Sequence, residues 1–282
     1  MTGSRRFRPL RVLALGALLA GSATALLAHD FWIVPVLFQV EPGSPIEALG
    51  QTGTRFPVSQ SAVAPERVAE ARIISQGGDE KVSNFSIRDK SLLLRHRPSQ
   101  TGQVVVAVAL APASRRVTPA GLQRYIALEG APELAQRYER EGRYPGTDSV
   151  TQRSQKFAKA VMEVGQHGPR AFGRPAGHLL ELVPVGDPAS VQPGGSLEVR
   201  VLYRGRPLPD AALRAGLAVA DSSAPRADTT LVSDAGGVVR LAVPTSGLWN
   251  LRLLHAAPAP DTAGEWEVFF ATFVFNVDHR AR

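Results

Sequence analysis

Two-residue alternation of apolar and polar positions runs along most of this chain and is clearest towards its C-terminal end. In residues 196–203, Leu197, Val199, Val201 and Tyr203 share one face while Glu198 and Arg200 share the other, as in a strand with one side against a core. Strands are predicted at 178–184, 196–203, 211–220, 229–233, 238–243, 248–255 and 266–277. Turn sequences separate them, among them Pro193-Gly194-Gly195, Gly205-Arg206-Pro207, Asp234-Ala235-Gly236-Gly237 and Ser246-Gly247. Short strands at this spacing, within about 100 residues, predict an immunoglobulin-like or transthyretin-like sandwich. In 248–255 the same rule puts Trp249, Leu251, Leu253 and His255 on the core face, with Asn250, Arg252 and Leu254 opposite.

The first half of the chain is strand-like as well. Residues 31–40 form an apolar run with an edge or bulge at Pro35, and 103–110 are rich in β-branched residues. Residues 72–75 and 81–86 flank a hairpin tip at Gln76-Gly77-Gly78-Asp79. The pattern changes at Thr118-Pro119. Helices are predicted at 120–129 and 132–141, with a third helical stretch at 154–163, and the glycine- and proline-rich residues 165–177 read as a linker. The expected fold is mainly β: two antiparallel β-sandwich-like domains, at 29–118 and 178–282, with a short helical insert and linker at 119–177.

Residues 1–28 do not belong to that pattern. Four arginines and no acid precede an uninterrupted apolar run at 12–28, followed by a polar start. These are the parts of a secretory signal peptide, and the run is short of the roughly 20 residues a membrane span needs. Cleavage after Ala25 or after Ala28 fits; only the second leaves His29 as the first residue. The signal also carries much of the basic character. The whole chain has a formal charge of +7, and without residues 1–28 there remain 28 basic against 25 acidic side chains. No Lys/Arg block is clustered, so nothing points to nucleic acid. The expected product is a periplasmic or secreted protein with no membrane span after cleavage.

The chain has no cysteine, which excludes disulfides, thiolate metal sites and a cysteine nucleophile. No nucleophile elbow, zinc-protease helix, phosphate loop or calcium loop is present. The Asp234-Ala235-Gly236-Gly237 stretch reads as a hairpin turn rather than a cation loop. Chemistry then rests on six histidines: His29, His96, His167, His178, His255 and His279. His29 stands apart, because after cleavage behind Ala28 its α-amine and ring Nδ1 chelate a metal together, and a second imidazole would complete a histidine brace. His255 ends the buried row of its strand, where an imidazole needs a hydrogen-bond partner or a metal. His178 begins a strand. The candidate metal ligands are His29, His255 and His178.

Several motifs lie in a familiar order. They are His29-Asp30-Phe31-Trp32-Ile33-Val34-Pro35, Gly53-Thr54-Arg55-Phe56-Pro57, Arg124-Tyr125-Ile126-Ala127-Leu128-Glu129-Gly130, Leu180-Glu181-Leu182-Val183-Pro184 with Asp187-Pro188, Val201-Leu202-Tyr203-Arg204-Gly205-Arg206-Pro207-Leu208, and Gly247-Leu248-Trp249 with His255. Together they resemble a bacterial domain-of-unknown-function family whose members are often labelled periplasmic components of cobalt or nickel transport systems. That resemblance implies a periplasmic binding protein for a divalent transition metal (nickel, cobalt or copper), serving uptake or delivery, with an inner-membrane metal transporter as partner. Two other readings stand beside it: a copper mono-oxygenase built on the histidine brace, and a non-catalytic structural or adhesive β-sandwich module.

Overall fold

A computed structural model describes residues 30–218 and 228–278. The expected signal peptide, His29 and His279 lie outside the described residues. In chain order the strands of the first half are β1 (Asp30–Pro35), β2 (Gln39–Val40), β3 (Ile46–Gly53), β4 (Ser61–Ala62), β5 (Val68–Ser75), β6 (Gly78–Lys81), β7 (Asn84–Arg88), β8 (Ser91–His96), β9 (Gly102–Leu110) and β10 (Ala113–Val117). Helices α1 (Pro119–Leu128) and α2 (Pro132–Arg140) follow, and then β11 (Val150–Val164). The second half holds β12 (Leu180–Pro184), β13 (Gly195–Tyr203), β14 (Arg206–Pro207), β15 (Ala212–Leu217), β16 (Thr229–Val232), β17 (Val238–Val243), β18 (Gly247–Pro258) and β19 (Glu265–Val277).

These strands form three sheets. The largest has ten strands in the order β16-β15-β18-β19-β11-β9-β5-β6, with β10 and β2 also on β11. A five-stranded sheet, β1-β3-β8-β7 with β4 on β3, covers part of one face, and a four-stranded sheet, β12-β13-β14 with β17 on β13, covers the other. The chain is therefore mainly β, with two sandwich packings, and both use the same ten-stranded sheet as one wall.

Side-chain parity along β19 shows how the layers meet. Phe269, Ala271, Phe273 and Phe275 pack towards the four-stranded sheet, against Leu182, Val199, Val201 and Leu241. On the opposite face Val274 joins the cluster under the five-stranded sheet, with Phe31, Ile33 and Leu92. Trp266, Val268 and Phe270 join a third cluster beneath α1 and α2, with Leu122, Ile126 and Tyr138. A strand buried on both faces reads as a near-continuous apolar run, and 266–277 does, broken by Glu267, Thr272 and Asn276.

The helices form where their signals stand. Thr118 accepts a hydrogen bond from the Gly121 amide with Pro119 at the first position of α1, and Pro132 opens α2. The expected third helical stretch at 154–163 is a correction: these residues belong to the fifteen-residue strand β11. Its Lys, Ala, Met and Glu residues are good helix formers. The strand wins because β11 pairs along its length with β19, β9 and β10, burying apolar side chains on both faces. Pairing is antiparallel throughout except at β11, which runs parallel to β19 and to β2. The turn 234–237 is a local device: the Asp234 carboxylate accepts from the amides of Gly236 and Val238 at 2.9 and 2.8 Å.

Candidate functional site

His255 and His178 both lie on the face of the ten-stranded sheet that meets the four-stranded sheet. The His255 ring packs on Tyr203 with centroids 4.6 Å apart, and that of His178 stacks on Phe157 at 4.9 Å. Phe269 lies between these pairs, 6.0 Å from Phe157 and 6.2 Å from Tyr203. The two imidazoles are thus the ends of an aromatic row, not neighbours. Burial pushes both down to about 4. His96 meets Glu80 at 2.9 Å and His167 is exposed. Among the described residues no three His, Asp or Glu side chains cluster as a metal site.

The first strand enters the opposite face. Asp30 opens β1 at 8% exposure, pairs with Gly53 in the ladder, and sets its carboxylate 2.9 Å from the Arg252 guanidinium. The other arm of Arg252 meets Asp228 at 2.6 Å, and the Thr272 hydroxyl donates to the Phe31 carbonyl at 2.7 Å. Arg252 and Thr272 are cross-strand partners, and Thr272 in turn opposes Ala158. His255 is three residues beyond Arg252 on an unbroken strand, so it projects to the other side of the sheet. The structure does not bring His178 or His255 to the start of β1.

Around Asp30 the sheet carries a polar seam between the two apolar clusters of that face. On β11 it takes Gln152, Ser154 and Lys156, which lie between Val150 under the helices and Ala158 under the five-stranded sheet. Gln152 accepts from Arg115 at 3.0 Å and donates to Ser154 at 2.9 Å. The Lys156 ammonium lies 5.2 Å from the Phe270 ring, and burial brings it down to about 8 against the charges of Asp30 and Glu129. Glu129, just past α1, is pushed by burial up to about 7, against the pull of Lys156 and with the push of Asp30. Asn250, fully buried on this same face of β18, has neither amide atom hydrogen-bonded. Pattern reading assigned Asn250 and Arg252 to the side away from the core. The signal that both sides are covered was Leu254 and Ala256 in the same register.

These shifts predict a pH profile. An imidazole that titrates near 4 when folded and near 6.5 when unfolded adds stability that is complete above pH 6.5 and is lost as pH falls through 4. The loss is about 3 kcal/mol for His178, and less for the partly exposed His255. Glu129 works in the other direction, losing its contribution as pH rises from 4.5 towards 7. The histidine part is therefore read as the difference between wild type and His178→Gln in urea unfolding across pH 4–7. Parallel profiles would refute it.

The chain matches the family model described as Domain of unknown function (DUF4198) over residues 26–257. That range takes in every motif quoted above, from His29-Asp30-Phe31-Trp32 to His255. No curated protein matches it. Among solved structures, the D0-D1 domain of Intimin is 12% identical, over 88% of this chain and 98% of that one, with a TM-score of 0.21. A tetra-tandem repeat in the extending region of a large adhesion protein is 10% identical, over 88% of this chain and 50% of that one, at 0.22. Trypsin-activated alpha-2-macroglobulin from Escherichia coli is 10% identical, over 89% and 16%, also at 0.22. The chain spans half or less of the length of the last two.

Proposed function

We propose, for a chain that belongs to the DUF4198 family, the role of an exported, non-catalytic binding protein for a divalent transition metal (nickel, cobalt or copper), with the metal held where the mature chain begins. The observation that carries this reading is the anchoring of Asp30. Its carboxylate is tied to Arg252 and its backbone is paired with Gly53, so Asp30 itself is held beside a seam that also holds Asp228 and Glu129. A rigid start of this kind supports chelation by an N-terminal α-amine and imidazole, because the ordering cost is met by folding rather than by binding. His178 and His255, on the far face of the sheet, have no part in this site. Among the described residues no helix is long and apolar enough to cross a membrane. In this reading an inner-membrane transporter takes the metal.

The test is to purify the mature protein, determine its first residue, and titrate nickel and copper by calorimetry. One ion per chain is expected when His29 is first. His29→Ala is expected to weaken binding by at least about 100-fold, the upper end of what the loss of an outer-shell partner costs. Equal affinity in wild type and variant would remove His29. Absence of binding with His29 demonstrably first would leave a β-sandwich module without a metal.

A further inference from the structure

A cleft of about 560 Å³ opens beside the β5–β6 hairpin, and its polar lining is Glu70, Arg72, Lys81, Gln155 and His178 over the edge of Phe157. His178 is 6% exposed, and its Nδ1 is buried with no hydrogen-bond partner. Nε2 is not enclosed in that way, and because the ring lines the cleft it is the nitrogen that can meet a ligand there. A neutral imidazole carries one proton. Placing it on Nδ1 would strand an N–H in the core, a rarer defect than a stranded lone pair. Placing it on Nε2 aims the N–H into the cleft, where a ligand or water accepts it. A metal at Nε2 needs the opposite tautomer, with Nδ1–H donating to an acceptor behind the ring, and no acceptor is there.

The charges around the cleft agree. Glu70 is held by Arg72 at 2.7 Å, and Asp79, which meets Arg72 at 2.8 Å, is shared with Arg174 at 2.9 Å. The two buried charges that act on His178, Lys159 and Glu181, are paired with each other at 2.7 Å. Lys81, exposed at the cleft edge, has no acidic partner among the described residues. The cleft thus offers one imidazole N–H and one uncommitted ammonium, with its carboxylates already neutralised.

We infer that this cleft is a binding site for a small oxyanion-bearing molecule, a carboxylate or a phosphate, held by His178 Nε2–H and Lys81. This goes beyond the metal reading and does not depend on it, since the two sites lie on opposite faces of the ten-stranded sheet.

The experiment is nitrogen NMR of the mature protein labelled at its imidazoles, titrated separately with inorganic phosphate and with succinate. The free protein is expected to show a pyrrole-type Nε2 and a pyridine-type Nδ1 at His178. A saturable shift of Nε2 with one of the two ligands is expected, and which one responds names the source of the oxyanion. Lys81→Ala, a surface change, is expected to weaken that response about tenfold while leaving the tautomer unchanged. An Nδ1–H tautomer, a Lys81→Ala response equal to wild type, or no saturable shift with either anion overturns the proposal. Nickel added alone is expected to leave the His178 signals in place; broadening at His178 also overturns it. A protein that binds phosphate here and no nickel anywhere keeps this inference while losing the metal reading.

Discussion

Lys159→Met is expected to lower the free energy of unfolding by about 3–5 kcal/mol, because it breaks a buried ion pair by removing one partner. Lys159 is 1% exposed, and its ammonium sits 2.7 Å from Glu181 Oε1, between the ten-stranded and four-stranded sheets. Burial pulls the lysine below its ordinary range while the Glu181 charge pulls it back. Removing the cation leaves a carboxylate that is 2% exposed, with the amides of Ala176 and Gly177 as its remaining hydrogen-bond donors. Methionine fills the stem's volume, so the loss reports the stranded charge and not a cavity. Glu181→Gln, which keeps an acceptor for those amides, is expected to cost less. Urea unfolding of both variants checks this; a loss under about 1 kcal/mol for Lys159→Met would show that the pair is solvated like a surface bridge.

Arg252→Met is expected to cost a similar amount, about 3–5 kcal/mol, for a different reason. One guanidinium holds two carboxylates that belong to distant parts of the chain, Asp30 at 2.9 Å and Asp228 at 2.6 Å. Without it two part-buried anions face each other across the seam. The effect is expected to be local as well as global: amide hydrogen exchange of Phe31, Trp32 and Ile33 should accelerate more than that of β13, because β1 loses its anchor. Adding Asp30→Asn should recover part of the loss. If exchange in β1 is unchanged, the ladder with β3 holds the strand by itself, and the anchor invoked for metal binding has no energetic content.

The second half of the chain was legible because its strands obey one rule. Residues 238–243 were expected as a strand and are β17, and Leu197, Val199 and Val201 point into the core as their alternation says. Helix α1 was legible from Thr118-Pro119, which caps it. What alternation hid was the second buried face. In β11 the inward positions near its start are Gln152, Ser154 and Lys156, so the period is present but polar, and a hydrophobicity pattern cannot display it. Asn250 and Arg252 were misplaced for the same reason: a polar side chain opposite a core row reads as solvent-facing unless the roof above it is known. That roof is β1 and α1, distant in sequence by more than a hundred residues. The parallel contact of β11 with β19 was equally out of reach, since register between remote strands leaves no local trace.

Strand β19 ends the described chain yet occupies the middle of the largest sheet, between β18 and β11. A polypeptide is made from its N-terminus, so β19, the piece that joins the two halves, arrives after the strands it joins. Until residues 265–277 are available, one edge of a fifteen-residue strand waits open and so does one edge of β18. Open strand edges recruit other chains. Until then the future centre of the sheet presents unpaired strand edges, and a chain released short of β19 is expected to cluster with its siblings rather than simply unfold.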